Sequence, residues 1–380
     1  LKIALIHKKY TTHGGTERYL VGLSNFLAGK NHEVHVFTGS WDAKVADPRI
    51  VFHPVPCWGK HVGIAKFIFA NNVKREISKY HFDIIQTFSR VGFGDVIRIG
   101  GGCHQIYIRN ELNNYHNPLK KSIKLIKEKF SLNSYLTRFY EAKDFQTGHY
   151  KKLIAVSSMV KDEIIENYGV PAEDIIVNHN GVDLKKFAPE NKDLYRKDIR
   201  SKYGLNENDI VLLFLGTGFE RKGVEYILKS LARIKVSNVK LLVVGKGNIS
   251  KYAGFVHRLR LSSRVIFTGP SAKVEAFYAV GDIFVFPSVY DPCANVSLEA
   301  MASGLPLITT KTNGASGIVD HGENGFILER ADDVEALVKY IEILLDNDKR
   351  TEMSRKARIK MLDYTIDKNF QRLLEIYSDI

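Results

Sequence analysis

The stretch that decides the fold is Ile210-Val211-Leu212-Leu213-Phe214-Leu215-Gly216-Thr217-Gly218-Phe219-Glu220-Arg221-Lys222-Gly223, with a helix following from Val224. Six apolar residues in a row, without polar alternation, read as a strand covered on both faces. Glycines end the strand, and two adjacent cations stand between them and the helix start. A guanidinium can fork onto two phosphate oxygens while an ammonium acts as a compact point charge, so this turn suits a diphosphate. The plainer reading is an exposed basic turn.

Working outward, the same alternation fills the chain. Strand-like runs are Lys2–Ile6, Glu33–Thr38, Asp83–Thr87, Lys152–Val156, Ile175–Asn178, Lys240–Val244, Val265–Thr268, Asp282–Phe286 and Leu305–Thr309. Helical spacing fills most gaps, as in Leu20/Leu23/Leu27 and Val334/Leu337/Ile341/Leu344. This rhythm predicts a doubly wound α/β architecture with parallel sheets. The alternation pauses between Asn180 and Glu190 and restarts at Ile210, which predicts two lobes, 1–185 and 186–365. In such folds ligands bind at the carboxyl ends of strands, and a two-lobe protein is expected to use the central cleft its lobes face.

Composition narrows the class. The chain has 380 residues, 44% hydrophobic and 26% charged, enough apolar side chains for substantial cores. That excludes disorder, collagen and coiled coil. No run reaches the ~18 apolar residues of a spanning helix. The apolar run Leu1–Ile6 ends at His7-Lys8-Lys9, too short for a secretory leader. Cys57, Cys103 and Cys293 form neither a disulfide framework nor a CxxC metal site, so a cytoplasmic location is expected. The net charge is +13. All of the excess lies before residue 161. A basic lobe favours phosphates, nucleic acid or an anionic membrane surface as partners. No recognised nucleic-acid motif accompanies the charge.

Two segments interleave lysines with apolar residues. Pro118–Lys152 is helical in pattern, with Leu119, Ile123, Ile126 and Phe130 on one side and Lys120, Lys121, Lys124, Lys127 and Lys129 around them. Trp58–Arg75 mixes lysines with Ile64, Phe67, Ile68 and Phe69. The plainer reading is two solvated helices over a core. The sharper one is a basic amphipathic surface, 58–75 and 118–130, lying on anionic headgroups.

Two further loops are candidates for chemistry. His13-Gly14-Gly15-Thr16-Glu17-Arg18 joins the first strand to a helix, where paired glycines let backbone N–H groups approach a ligand. It is neither GxGxxG nor GxxxxGK[ST], and taken alone it is a turn. The other follows Ile283–Phe286 and runs from Pro287 through Asp291, Ala294, Asn295, Val296 and Glu299 to Gly304-Leu305-Pro306. A helix starting near Asn295 would turn free N–H groups towards a phosphate, with Glu299 one turn on. That carboxylate can accept two bonds from a ribose diol. The plainer readings are a surface helix glutamate and a turn aspartate.

These residues carry a resemblance. The chain is similar to retaining family 4 (group 1) glycosyltransferases of the GT-B fold, and resembles bacterial lipopolysaccharide-core glucosyltransferases. The matching pieces are Gly14–Arg18, Arg221-Lys222-Gly223, Val243–Gly245, Val265–Gly269, Pro287–Pro306 and Gly322–Leu328. The resemblance implies two Rossmann-like lobes, the second binding a nucleotide-diphosphate sugar, UDP-linked by expectation. The base would lie near Gly269, the ribose on Glu299, and the diphosphate on Arg221 and Lys222. Gly216 and Ala294, Asn295 and Val296 would complete the donor site, and Gly14 with Gly15 would meet it from the first, acceptor-binding lobe. His104, after Gly100-Gly101-Gly102, matches the family's histidine at the sugar. The final helix, Ile366–Tyr377, matches one that crosses back to the first lobe. The sequence departs from the pattern at Gly216-Thr217 for Gly-Arg, at Asp291 for a glutamate and at Ala294 for a glycine, which bears on the contacts to the sugar.

The expected reaction is transfer of a hexose to a glycan or glycolipid acceptor such as a lipopolysaccharide core. It is expected to need no cofactor and no metal, with Arg221, Lys222 and helix N–H groups holding the charge that grows on the leaving diphosphate. The one D-x-D, Asp346-Asn347-Asp348, sits at a helix end and reads as structural. A nucleotide-sugar epimerase or hydrolase on the same fold, or a noncatalytic nucleic-acid-binding protein, would use the same features.

Overall fold

The computed structural model describes residues 1–58, 62–115 and 117–380 and divides into two compact units. One comprises Leu1–His179 with Phe370–Ile380, the other Asn180–Asn369.

The strands of the first unit are β1 (Lys2–Ile6), β2 (Lys9–Tyr10), β3 (Glu33–Thr38), β4 (Ser40–Trp41), β5 (Val51–Pro54), β6 (Ile84–Thr87), β7 (Val96–Ile99), β8 (Lys152–Ala155) and β9 (Ile175–Val177). Its helices are α1 (Gly15–Gly29), α2 (Val62–Ile77), α3 (His104–Asn113), α4 (Pro118–Lys129), α5 (Leu132–Asp144) and α6 (Ser158–Tyr168). Seven strands form a parallel sheet in the order β5-β3-β1-β6-β7-β8-β9, and β2 pairs with β4 beside it. Successive side chains of a strand point to opposite faces. Ile3 and Leu5 accordingly pack with Leu20, Leu23 and Leu27 of α1, while Ala4 and Ile6 pack with Phe69 and Val73 of α2. Both faces are covered, which is why β1 is apolar from Ile3 to Ile6.

The second unit repeats the plan with β10 (Ile210–Leu215), β11 (Val239–Val244), β12 (Val265–Gly269), β13 (Ile283–Phe286), β14 (Leu307–Thr310) and β15 (Gly325–Leu328). Helices α7 (Asn191–Lys202), α8 (Val224–Arg233), α9 (Ile249–Arg258), α10 (Val274–Val280) and α11 (Asn295–Ala302) precede or link them. The order is β12-β11-β10-β13-β14-β15, all parallel. The chain builds outward from β10 in one direction, then from β13 in the other. That reversal puts a topological switch point between β10 and β13, where open α/β sheets bind ligands outside their carboxyl ends. In the first unit the equivalent place is between β1 and β6.

The units divide at Asn180, before the expected 185, because Val182 donates its N–H to Tyr364 and Arg358 reaches the Phe187 carbonyl at 2.9 Å. The last helix, Ile366–Ser378, belongs to the first unit from Phe370 onward. There the Phe370 ring packs against Tyr19 and Phe26, and the Tyr377 hydroxyl is hydrogen-bonded to Gln86.

The lysine-rich segment is not one helix over a core. It breaks at Phe130–Ser131, where the Ser131 hydroxyl accepts the Ser134 N–H and starts α5. No residue of α4 is buried. Gly59, Lys60 and His61 of the 58–75 segment lie outside the described residues, as does His116. Among the described residues, no helix is long and apolar enough to cross a membrane.

Candidate active site

At the switch point of the second unit, Gly216 follows β10 and Pro287 follows β13. The loop after β10 brings Arg221 and Lys222 to the loop after β13. The Val289 N–H donates to the Arg221 carbonyl at 2.9 Å, and the Arg221 Nη1 donates to the Tyr290 carbonyl at 2.7 Å. Both cations meet one carboxylate: Lys222 is paired with Asp291 Oδ2, and Arg221 Nη1 lies 3.5 Å from the same oxygen. Lys222 is only 8% exposed, and its ammonium lies over the Phe286 ring at 4.9 Å. Burial lowers its pKa, against the opposing pull of Asp291.

This cluster carries two positive charges and one negative. Arg221 Nε and Nη2 and Asp291 Oδ1 form no hydrogen bond among the described residues, so the cluster keeps both donors and an acceptor for a ligand. Asp291 is itself gripped by its main chain, which accepts from Gly314 at 2.8 Å and donates to Thr312 at 2.9 Å.

Helix α11 starts one loop further on. Asn295 and Val296 are its first two residues, so their N–H groups have no acceptor within the helix. The Ala294 N–H, just before the helix, donates to Asn313 Oδ1 at 3.2 Å. Asn313 also holds the Ala315 N–H, Ser297 Oγ and Thr309 Oγ1, and so ties the helix start to the end of β14. Asn295 accepts from Asn180 Nδ2 at 2.6 Å. Glu299 is not a surface residue. It is 7% exposed and accepts from the Tyr278 hydroxyl at 2.8 Å. A buried carboxylate needs such partners, and this one fixes the rotamer. Gly269 closes β12, and the Gly245 N–H donates to its carbonyl. The carboxyl ends of β10, β11 and β12 therefore carry Gly216, Gly245 and Gly269, and at Gly245 a side chain would meet the Gly216 carbonyl. Asp346 of the D-x-D caps the helix Asn347–Met361 through the Lys349 N–H.

In the first unit, Gly14 precedes α1 with φ of 106° and Gly15 is the helix's first residue. Thr16 lies close to Gly100, so this loop and the glycines before His104 share one neighbourhood. His104 is the first residue of α3, and its Nε2 lies 2.7 Å from Ser134 Oγ. Burial lowers its pKa. Its N–H donates to the fully buried Glu141, which also pairs with Arg90 at 2.7 Å and accepts from Tyr168. Glu141 thus supplies from α5 the cap that Cys103 does not provide.

Sequence reasoning missed Tyr278, Asn313, Glu141 and the pair His7–Ser89, 2.9 Å apart at the β1–β6 switch point. Asn313 had a signal in Thr312-Asn313-Gly314, a turn directly after a strand; the others had none.

Residues 195–360 match the Glycosyl transferases group 1 family, and residues 13–186 match Glycosyltransferase Family 4. The chain is 29% identical over 178 residues to the uncharacterized glycosyltransferase MJ1607 of Methanocaldococcus jannaschii, 46% of either chain. It therefore spans about half the length of that relative. It is 23% identical over 339 residues to the lipopolysaccharide glucosyltransferase WaaG of Escherichia coli, 86% of this chain and 84% of that one. The crystal structure of WaaG, a glycosyltransferase involved in lipopolysaccharide biosynthesis, superposes with a TM-score of 0.81 at 21% identity, covering 99% of each chain. HepE from Anabaena, solved in complex with UDP-glucose, gives a TM-score of 0.73 at 19% identity, covering all of both chains. The fold is the GT-B arrangement of two Rossmann-like units.

Proposed function

Because this chain belongs to the group 1 and family 4 glycosyltransferases, we propose that it moves a hexose from a UDP-linked sugar to a glycan or glycolipid acceptor, with retention and without a metal. The observation that carries this reading is the cluster of Arg221, Lys222 and Asp291 at the β10–β13 switch point. UDP as the nucleotide is supported by the likeness to HepE, and a lipopolysaccharide-core acceptor by the likeness to WaaG.

In this reading Glu299, held by Tyr278, accepts the ribose hydroxyls. Arg221 Nε and Nη2, with the N–H groups of Asn295 and Val296, take the diphosphate. Asp291 Oδ1 accepts a sugar hydroxyl while Lys222 fixes its other oxygen. As the bond from the anomeric carbon to the phosphate oxygen breaks, charge grows where these donors already point, and no reorganisation is needed. The acceptor is bound by the first unit, with His104 at the sugar. Calorimetry with UDP tests the donor site: Glu299→Ala should weaken binding roughly 10-fold, as expected for losing hydrogen bonds to a charged group. Unchanged UDP affinity would take the ribose away from Glu299, and loss of transfer in EDTA would end the metal-free reading.

The enzyme works at the cytoplasmic face of an anionic membrane. Leu119, Ile123 and Ile126 on α4 and Phe130 at its carboxyl end are all more than half exposed and are interleaved with lysines. Apolar side chains of this kind insert at the headgroup level while lysines meet the phosphates. Vesicles containing phosphatidylglycerol should bind the chain several-fold better than neutral ones at low salt. Equal binding to both would sink this part of the reading.

A further inference from the structure

A groove of about 520 Å³ lies within the first unit, among α3, α4 and α5. Residues four apart share a helix face, and each helix gives the groove such a stripe. Helix α3 contributes His104, Ile108 and Leu112 with Arg109 beside them; α4 contributes Lys121, Leu125 and Lys129; α5 contributes Ser134 and Arg138. Four cations, Arg109, Lys121, Lys129 and Arg138, thus line one concave surface. None of the four makes an ion pair or side-chain hydrogen bond among the described residues. The single carboxylate in the lining, Glu128, is taken by Lys124 at 3.1 Å, and Lys124 also reaches Glu111 at 3.2 Å. Four like charges held together, with the one carboxylate of the lining already paired to a fifth cation, raise the local potential, and an anion relieves it.

Resting on the proposed transfer to a glycan acceptor, we infer that this groove seats a phosphate monoester carried by that acceptor. The shape and chemistry favour a sugar phosphate over the other anions. The volume is that of a small-molecule site, large enough for a phosphorylated sugar. Arg109 and Arg138 can each fork onto phosphate oxygens, while Ile108, Leu112 and Leu125 offer apolar surface to the C–H face of a ring. No Phe, Tyr or Trp lines the groove, so it lacks the aromatic platforms on which successive nucleic-acid bases stack. Nor is it the face offered to lipid. At 100° per residue, the stripe Lys121/Leu125/Lys129 lies about 130° around the helix from Leu119/Ile123/Ile126/Phe130, which is absent from the lining. The groove also includes His104, the residue assigned to the sugar. A phosphate gripped remotely from the reacting hydroxyl spends its binding energy on orienting that hydroxyl.

The test uses the full chain and three probes at low salt: glucose 6-phosphate, glucose and inorganic phosphate, titrated by calorimetry or NMR. Glucose 6-phosphate should bind more tightly than either fragment. Arg109→Ala/Arg138→Ala should weaken it roughly 10-fold or more, as should Lys121→Glu/Lys129→Glu, with unchanged melting temperatures as the folding control. Absence of glucose 6-phosphate binding, or equal binding by wild type and both variants, overturns the assignment. Phosphatidylglycerol vesicles separate the sources. Vesicle binding that survives in Arg109→Ala/Arg138→Ala supports the sugar phosphate, and vesicle binding that falls while glucose 6-phosphate binding does not gives the groove to a headgroup and overturns it. UDP titrated into the wild-type chain reads the donor site separately, so a failed donor reading would be visible as such.

Discussion

Lys222→Ala is expected to lower turnover by roughly 10²-fold, the usual loss when a group that positions the reacting sugar is let slip by about an ångström. The size follows from where the ammonium sits. It is buried between Phe286 and Asp291, where burial already works against its charge. A cation kept in such a place stabilises a partner that stays, Asp291, and with it whatever Asp291 Oδ1 holds. Two effects separate in the variant. Removing one member of a buried pair leaves Asp291 with only Arg221 at 3.5 Å, which costs about 3 kcal/mol of stability. The double variant Lys222→Ala/Asp291→Ala removes the orphaned carboxylate, so it should regain much of that stability without regaining turnover. Denaturant melts and initial rates on both variants make the comparison. Near-normal turnover in a folded Lys222→Ala chain would dissolve the assignment of this cluster to the reacting diphosphate.

The residues differ in how far their roles could be read from the chain alone. The strands β1 and β10 were legible because burial on both faces demands unbroken apolar runs, and such runs are visible one residue at a time. Val51–Pro54 was not, since a proline ends it and it stands at the sheet's edge, where one side needs no partner. Gly325–Leu328 opens with a glycine and has only four residues. Arg221 and Lys222 stood out as paired cations between glycines. Their meeting with Asp291, 69 or 70 positions later, depends on β10 and β13 being neighbours, and strand order is a property of the whole sheet. Tyr278 was hidden for a different reason. It lies in Val274-Glu275-Ala276-Phe277-Tyr278-Ala279-Val280, which reads as plain core helix, and only the hydroxyl's contact with Glu299 shows otherwise. The occupied Ala294 N–H belongs with these, since its acceptor comes from a loop beyond the next strand.

The same dependence on neighbours sets the second large effect, at Gly223. This residue and Gly218 lie in one loop and share a φ of 81°, a conformation that side-chain-bearing residues adopt at a cost of about 1–2 kcal/mol. Backbone strain alone would make alanine equally harmful at both. Space separates them. A Cβ at Gly218 meets nothing within 4 Å, whereas one at Gly223 would lie 2.1 Å from the Pro287 carbonyl oxygen. That oxygen belongs to the first residue after β13, so it cannot swing aside as a side chain could. The loop bearing Arg221 and Lys222 must back away from the loop bearing Asp291 instead. Gly218→Ala should therefore cost about 1–2 kcal/mol and leave UDP affinity unchanged. Gly223→Ala should cost about 3 kcal/mol or more and weaken UDP binding beyond what its partial unfolding explains. Urea melts with and without saturating UDP separate these terms, because a ligand that binds only the native state adds a stabilisation set by its affinity. If the two alanine variants proved equally stable and bound UDP alike, the close approach of the two loops would not be what assembles the site.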